Sequence, residues 1–441
     1  MSSYFIESFK IDKLWGHRDI ALTFKKDVNI LIGPNGSGKT TILNLLNSIL
    51  SLDISGILNV NFEFAEIHLQ DFKNSSVLRT VKVHAANRLL RLELDEEEIG
   101  IDTESITGRR FTEHHGWLEK GNTLPERLPE RFVRRTVVSE KFYDELTTLV
   151  PLVWLPVSRR LPVTKYEEKW HTRTEPLESV DLRLEELLED ISRYHSILNA
   201  QLSERYREFE HQVLSMILYS KEHDQLKSIR NSVFHSLPTE VEKDQLLDAF
   251  EDAGFLDEVM QSRIDDHFAA LTVAEQVFVR IHEGKDIPAE FEDIFVIPLI
   301  GRTKAVVAYA KKLEKDKEDI FASLRRYEEI VNSFLSNKSI KFDERGYLKI
   351  ETSSPADINP RLLSSGEKQI LIFLTEALLR IEKPVVYVAD QPELSLHVTW
   401  QEKLLESLVT LGGQKQIIVA THSPDIVGTF QDKVIDLGRE S

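Results

Sequence analysis

One octapeptide in this chain has residue types and spacing suited to holding the phosphates of a nucleotide. Residues 33–40 read G-P-N-G-S-G-K-T and match the pattern G-x-x-x-x-G-K-[ST]. In such a loop, glycines let backbone N–H groups surround phosphate oxygens, the lysine supplies positive charge, and the last hydroxyl ligates Mg²⁺. An apolar strand pattern precedes the loop and a helical pattern follows it, as the motif requires. We therefore predict that ATP contacts Gly33, Pro34, Asn35, Gly36, Ser37, Gly38, Lys39, Thr40 and Thr41.

The last quarter of the chain carries residues that could complete this site. Residues 385–390 read V-V-Y-V-A-D, the Walker B pattern of apolar residues ending in an acid, and predict Asp390 as a Mg²⁺ ligand beside Thr40. Ser364, Ser365, Gly366 and Glu367 stand at the start of a predicted helix, and His422 follows an apolar strand. Each of these patterns is weak alone, but their order and context together favour one nucleotide site.

These motifs resemble those of ABC-type ATPases in the recombination and chromosome-maintenance branch, beside RecF and the structural-maintenance-of-chromosomes proteins. More closely, the chain is similar to AAA-family ATPases of bacterial anti-phage defence, such as the AriA-type subunits of PARIS systems. The similarity covers residues 1–160 and 336–441. It implies that Ser364, Ser365, Gly366 and Glu367 form a signature facing the γ-phosphate bound by a neighbouring subunit. It also implies a switch role for His422 and a γ-phosphate or metal-sensing role for Arg159, although an ion pair between Arg159 and surface carboxylates is an equal alternative.

One departure from the family pattern bears on hydrolysis. The family usually has Asp-Glu-Pro-Glu after the Walker B strand, and its first glutamate polarises the attacking water. Here the sequence is Asp390-Gln391-Pro392-Glu393. An amide cannot act as a general base near neutral pH. The candidate catalytic residues are therefore Glu393, Gln391 and His422, with either Glu393 taking over as the base or hydrolysis being slow.

The elements that must position these residues follow from the periodicity of the sequence. The periodicity predicts an α/β fold with a β-rich first segment and a helical, short coiled-coil insertion, and the resemblance implies that this fold is an ABC-type P-loop ATPase head with a mixed sheet and an antiparallel β lobe. The predicted domains are 1–160 with the phosphate loop and a strand meander (57–72 and 77–94), 161–335 as the insertion, and 336–441 with the remaining motifs. In the insertion, Leu184, Leu188, Ile191, Leu198, Leu202, Phe209, Val213 and Met216 form a seam interrupted by His195 and Arg205.

Composition narrows the function classes. The 441 residues contain no cysteine, which excludes disulfides, thiolate metal sites and cysteine nucleophiles. The net charge of −18 argues against DNA coating as the primary activity, because phosphate neutralisation needs a basic surface. No apolar run approaches the ~20 residues of a membrane span, and no signal peptide is visible, so we expect a cytoplasmic protein without membrane contact.

The resemblance implies a particular set of partners. In PARIS-like systems an ATPase scaffold, a hexamer built from ATP-sandwiched dimers, holds a Toprim nuclease (AriB-like) and releases it when a phage anti-restriction protein is sensed. The alternative is a RecF-like DNA-repair ATPase that clamps DNA. A transporter nucleotide-binding subunit is a poor third option, since the segment between Lys39 and Ser364 is far longer than such subunits need.

Overall fold

The computed structural model describes residues 3–86, 89–102, 140–155, 179–216, 218, 239–282, 297–343, 345–352 and 358–438. The described strands, in chain order, are β1 (Tyr4–Leu14), β2 (Arg18–Thr23), β3 (Val28–Ile32), β4 (Phe64–Asp71), β5 (Leu78–Ala86), β6 (Leu89–Leu94), β7 (Glu97–Asp102), β8 (Leu152–Leu155), β9 (Lys338–Phe342), β10 (Leu348–Thr352), β11 (Val385–Asp390), β12 (Lys415–Ala420) and β13 (Val434–Asp436). The described α-helices are α1 (Lys39–Leu50), α2 (Ile54–Leu58), α3 (Glu140–Leu149), α4 (Ser179–Ser215), α5 (Glu240–Asp252), α6 (Glu258–His282), α7 (Ile297–Phe334), α8 (Ser365–Leu379), α9 (Val398–Thr410) and α10 (Pro424–Val427). The chain divides into two compact units, the first with residues 1–191, 327–343 and 347–441, and the second with residues 192–326 and 344–346.

A five-stranded parallel sheet lies in the first unit, in the order β13-β3-β12-β11-β8. Its strands β11 and β12 are buried along almost their whole length, which is why they read as continuous apolar runs. Gln416 on β12 is fully buried, and its amide bonds the backbone of Ile6 and of Lys25. This buried amide joins the parallel sheet to the antiparallel lobe.

The antiparallel lobe is a six-stranded sheet in the order β2-β1-β4-β5-β6-β7. Strand β4 alternates buried and half-buried residues, as expected for a sheet with one face on the core and one face in water. The buried face packs with helices α1, α2 and α3 and with apolar residues of β11 and β12 in one continuous core. The lobe therefore supports α1, the helix that follows the phosphate loop.

The predicted fold class is confirmed, with two differences in detail. We expected a mixed central sheet, but its described strands are all parallel. We also expected a strand from residue 57, but residues 54–58 form helix α2, with the Asp53 carboxylate accepting the Gly56 N–H, and the strand begins at Phe64. The capping aspartate outweighs the β-like apolar pattern at this point.

Four described helices contribute to the second unit: the distal parts of α4 and α7, together with α5 and α6. Its core includes Phe209, Leu246, Ile264, Phe268 and Leu313. Helices α5 and α6 were not anticipated as partners of the seam. His195 was also misjudged: it does not interrupt the seam, because it is buried and its ring meets Phe321 edge-on. Within the described part of the chain, no helix has the length and apolarity that crossing a bilayer requires.

Candidate nucleotide-binding site

The candidate site lies at one edge of the parallel sheet. Strands β3, β11 and β12 run in the same direction and in register, with Ala420 beside Leu31 and Ala389 beside Val419. Their carboxyl ends therefore reach the same edge, where Gly33, Asp390 and His422 follow or end the strands. Ligands of open α/β sheets bind at this edge.

The phosphate loop has the backbone geometry that its glycines permit. Gly38, directly before α1, has φ of +94°, and a Cβ there would lie 2.9 Å from the Trp15 ring. Both facts select glycine at this position. No side chain caps the start of α1, so its first N–H groups are turned toward the loop without a side-chain acceptor. Such a loop and helix start are suited to an anion.

Lys39 is buried inside the loop. Its Nζ donates to the carbonyl oxygen of Gly33 at 2.8 Å and to that of Pro34 at 3.2 Å. Burial lowers the pKa of the Lys39 ammonium, although the charges of Asp390 and Glu393 act in the opposite direction. A phosphate oxygen could replace these neutral carbonyl acceptors with a charged one, which makes a stronger hydrogen bond.

Thr40 and Asp390 meet although they are far apart in sequence. The Thr40 hydroxyl donates to Asp390 Oδ2 at 2.8 Å. The other oxygen, Oδ1, is buried and has no hydrogen-bond partner among the described residues. Burial raises the pKa of the Asp390 carboxyl; Glu393 adds to this rise, whereas the Thr40 hydroxyl, Lys39 and His422 oppose it. A buried carboxylate oxygen without a partner, next to a hydroxyl, is a donor set that fits Mg²⁺.

The site offers Mg²⁺ two side chains rather than a closed cage. In the described part of the chain, no three histidine, aspartate or glutamate side chains group closely enough to hold a metal. Mg²⁺ commonly takes one or two protein oxygens and completes its shell with phosphates and water. Thr40 and Asp390 would hold the ion, and the ion would neutralise phosphate charge.

Glu393 and His422 are also brought together. Oε1 of Glu393 accepts the backbone N–H of His422 at 3.0 Å, while Oε2 is buried without a partner among the described residues. Gln391 has φ of +54°, which is unusual for a residue with a side chain, and its N–H donates to the Ala420 carbonyl. We call Lys39, Thr40, Asp390, Glu393 and His422 the phosphate edge.

The signature turn, residues 364–367, starts helix α8. Ser364 is its N-cap, and the Glu367 carboxylate accepts the Ser364 N–H and hydroxyl, each at 2.8 Å. Lys338 Nζ lies 2.9 Å and 3.0 Å from the two Glu367 oxygens. Burial alone would raise the pKa of Glu367, but the bonds from Lys338 and Ser364 lower it below its ordinary value. Glu367 is thus fully engaged in shaping the turn.

Helix α8 also touches the loop that follows Asp390. A Cβ on Gly366 would lie 2.6 Å from the Ser395 carbonyl oxygen, so only glycine allows this approach. Further along α8, the Gln369 amide donates to the Pro392 carbonyl at 3.1 Å in a buried position. The signature turn is therefore packed against the segment that carries Gln391 and Glu393.

The two groups of predicted residues are not joined by a direct hydrogen bond among the described residues. The phosphate edge is joined by the contacts above, whereas no hydrogen bond of the described residues connects residues 364–367 to residues 33–41. Ser364 and Ser365 are exposed, and the neighbouring Leu362 is 76% exposed. Arg159 lies outside the described residues.

Two residues near the loop were missed by the sequence analysis. Trp15 packs on Gly38, and Arg18 donates to the carbonyl of Ser37. Trp15 lies in the tight turn between β1 and β2, where Gly16 also has a positive φ, and Arg18 is the first residue of β2. No sequence pattern indicated that these residues lie beside the phosphate loop.

Comparison with known proteins gives a family and one short local match. The family model AAA_15, described as an AAA ATPase domain, matches residues 5–427. The DNA double-strand break repair Rad50 ATPase of Methanopyrus kandleri is 44% identical over 41 residues, which are 9% of this chain and 5% of that protein. The chain thus matches only a small part of that relative.

Similar solved structures include Smc head domains. One, with an extended coiled coil and bound to the C-terminal domain of ScpA, comes from Pyrococcus furiosus; it has a TM-score of 0.41 and 13% identity, covering 99% of this chain and 93% of that one. Another, with a coiled coil and joint, comes from Pyrococcus yayanosii; it has a TM-score of 0.40 and 14% identity, covering 99% and 95%. Likeness at this level carries no argument about function.

Proposed function

The chain belongs to the family of AAA ATPase domains, and we propose that it is an ABC-type nucleotide switch that binds Mg²⁺-ATP and hydrolyses it slowly. Residues 33–41 bind the phosphates, with Lys39 supplying charge. Thr40 and Asp390 hold Mg²⁺, and His422 lies beside the γ-phosphate. The ATP-bound state then pairs two copies of the chain.

The contact between Thr40 and Asp390 carries this proposal. It joins the phosphate loop to the end of β11 at 2.8 Å and leaves a buried carboxylate oxygen unpaired at the same point. Leaving a buried polar atom unsatisfied costs stability, on the order of 1–3 kcal/mol. A role of Asp390 as a metal ligand would explain why this buried oxygen has no hydrogen-bond partner among the described residues.

The signature turn is the feature that supports pairing with a second copy of the chain. The exposed Ser364 hydroxyl and the start of α8 are preorganised by Glu367 and Lys338, and no hydrogen bond among the described residues joins them to the chain's own phosphate loop. In the proposed dimer, each signature turn contacts the γ-phosphate held by the partner's loop. ATP thereby holds the interface together, and loss of the γ-phosphate weakens it.

Slow turnover follows from Gln391. Without a glutamate at this position, Glu393 is the carboxylate available to orient or accept the proton of water. One of its oxygens already accepts the His422 N–H, and the other is without a partner among the described residues. We propose Glu393 as the general base, with Gln391 at most orienting the water.

Analytical ultracentrifugation of the purified chain tests this function. With Mg²⁺ and a non-hydrolysable ATP analogue we expect dimers or larger assemblies built from them, whereas ADP should leave these ATP-dependent contacts open and shift the chain to smaller species. Identical sedimentation with the analogue, with ADP and without nucleotide would contradict the switch. Release of phosphate from ATP, measured in parallel, tests the hydrolysis step separately.

We further propose a role as the scaffold of a PARIS-like anti-phage system, in which hexamers of this chain hold a Toprim nuclease encoded separately. The net charge of −18 is compatible with a scaffold that does not bind DNA. Co-expression with a Toprim nuclease encoded next to it should give a complex that dissociates when a phage anti-restriction protein is added. A chain that cleaves nucleic acid by itself would contradict this role.

A DNA-repair clamp is the alternative, and the short match to a Rad50 ATPase is the observation that favours it. That function requires ATP hydrolysis stimulated by DNA, with a steep dependence on salt because counterions are released from the phosphates. Hydrolysis unaffected by DNA at low salt would exclude it.

A further inference from the structure

Arg18 makes an unusual pair of contacts beside the phosphate loop. Its Nη1 donates to the carbonyl oxygen of Ser37 and its Nη2 to that of Leu437, each at 2.7 Å. Ser37 belongs to the loop, and Leu437 directly follows β13 at the other end of the chain. One guanidinium thus joins three segments that are separated in sequence.

The Leu437 segment is itself fixed against the loop. Its N–H donates to the Ile32 carbonyl, the last residue of β3 before the loop, at 3.0 Å. Leu437 is almost completely buried, and a Cβ on Gly438 would lie 3.3 Å from Pro34. The carbonyl of Leu437 is therefore a firm support from which Arg18 can hold Ser37.

The third nitrogen of the Arg18 guanidinium, Nε, indicates that the side chain is oriented toward the two carbonyl oxygens. Its Nε is buried and has no hydrogen-bond partner among the described residues. The side chain therefore places both terminal nitrogens on the two carbonyls while leaving the third donor unsatisfied. A lysine has a single point charge and cannot reproduce this planar fork.

We propose that Arg18 is a positioning residue that holds residues 33–38 in the shape that receives phosphates, so that nucleotide affinity depends on a side chain outside the motif. Preorganisation raises affinity because the loop's ordering cost does not have to be met on binding. This inference rests on the proposed nucleotide site. Arg18 acts through the Ser37 backbone.

The first test uses the full chain without nucleotide. In Arg18→Met, amide hydrogen exchange of the peptide covering residues 33–41 should be faster than in the wild type, by roughly tenfold if both charged hydrogen bonds are lost. Arg79→Met is the matched control: Arg79 lies in the same antiparallel lobe and bonds Asp95 and Glu145, but not the loop. It should leave exchange of this peptide unchanged. Unchanged exchange in Arg18→Met would overturn the proposal.

The second test concerns nucleotide. Arg18→Met should weaken ATP and ADP binding alike, by roughly tenfold, and raise KM while kcat at saturating ATP stays near the wild-type value. Arg18→Lys should bind nucleotide more tightly than Arg18→Met but less tightly than the wild type. Arg79→Met should bind with wild-type affinity. An affinity loss equal in the two methionine variants would overturn the inference, since it would indicate general destabilisation. If the wild type binds no nucleotide, the proposed function fails, while the exchange experiment still decides whether Arg18 holds the loop.

Discussion

The phosphate edge and the signature turn differ in how far each is completed by its own chain. At the phosphate edge, residues that end or follow the strands β3, β11 and β12 meet, with Thr40 bonded to Asp390 and Glu393 bonded to the His422 backbone. At the signature turn, Glu367 and Lys338 fix the backbone, yet Ser364 and Ser365 are exposed. The first region holds buried carboxylate oxygens that have no hydrogen-bond partner in the described part of the chain, whereas the second presents an ordered surface.

This difference indicates a division of labour. A region that carries buried oxygens without partners is suited to an ion and phosphates, which supply the missing contacts. A region that is ordered but exposed is suited to a second macromolecular surface. The loop contacts made by Gly366 and Gln369 link the two regions, so a change at one can reach the other through the segment 390–395.

The largest effect is expected from Lys39→Ala, which removes the lysine's positive charge from the phosphate edge. ATP affinity should fall by roughly a hundredfold or more, because a charged hydrogen-bond donor to phosphate is lost. Isothermal titration calorimetry measures the affinity. The control is Lys10→Ala, which removes an exposed lysine that pairs with Asp12 on β1 of the antiparallel lobe. This variant should bind ATP with wild-type affinity. Wild-type ATP affinity in Lys39→Ala would contradict the assignment of the phosphate edge as the nucleotide site.

Ser364→Arg should affect the signature turn without affecting ATP binding at the phosphate edge. A bulky cation at the exposed N-cap leaves the phosphate edge intact, so each chain should still bind ATP with wild-type affinity. Dimerisation with the non-hydrolysable analogue, and ATP hydrolysis, should both be lost. Calorimetry and ultracentrifugation on the same sample measure both quantities. Loss of ATP binding together with dimerisation would indicate that the two regions are not independent.

Glu393→Gln should slow hydrolysis by roughly a hundredfold, the usual contribution of a general base. The amide oxygen can still accept the His422 N–H, so ATP binding should persist. Gln391→Ala is the comparison variant, and its rate should stay within about threefold of the wild type because it removes no carboxylate. A wild-type rate in Glu393→Gln would instead make Glu393 a structural carboxylate.

The smallest effect concerns Glu367 and is expected in stability. Its pKa is lowered in the folded chain, so its contribution is present above the ordinary glutamate pKa and is lost as the pH falls through the folded value. Glu367→Gln should therefore lower the free energy of unfolding by about 1 kcal/mol at neutral pH, and the difference should shrink in acid. Urea denaturation at several pH values measures it, with the exposed Glu382→Gln as a neutral control. An equal difference at every pH would contradict the role assigned to the carboxylate.

The sequence analysis predicted best where a motif and its flanking periodicity agreed. The strands at 385–390 and 415–420 and the helix from residue 365 lie close to their predicted bounds, since buried parallel strands give continuous apolar runs and Ser364 with Glu367 forms a recognisable capping box. The start of β4 was wrong, because the Asp53 cap decided the local structure. The functional roles of the motif residues remain predictions.

Contacts between distant segments were out of reach of sequence patterns. Arg18 holds Ser37 and Leu437 through backbone carbonyls, which carry no residue-type signal. Helices α5 and α6 contribute to the core of the second unit. The apolar pattern of α4 did not indicate them, because one returning helix is enough to explain that pattern. In both cases the missing information was which segments lie side by side.

Mixing Lys39→Ala with Ser364→Arg tests the composite site most directly. Each variant alone should hydrolyse no ATP, because two copies of one variant lack the same half of both sites and should not form the ATP-bound dimer. In a mixed dimer, one interface joins the intact phosphate edge of Ser364→Arg to the intact signature turn of Lys39→Ala. ATPase activity of the mixture should therefore rise well above that of either variant, to roughly a quarter of the wild-type rate if half of the chains are in mixed dimers and each mixed dimer has one working site. A mixture no more active than its components, while both variants still form dimers with wild-type chains, would contradict a site shared between two copies.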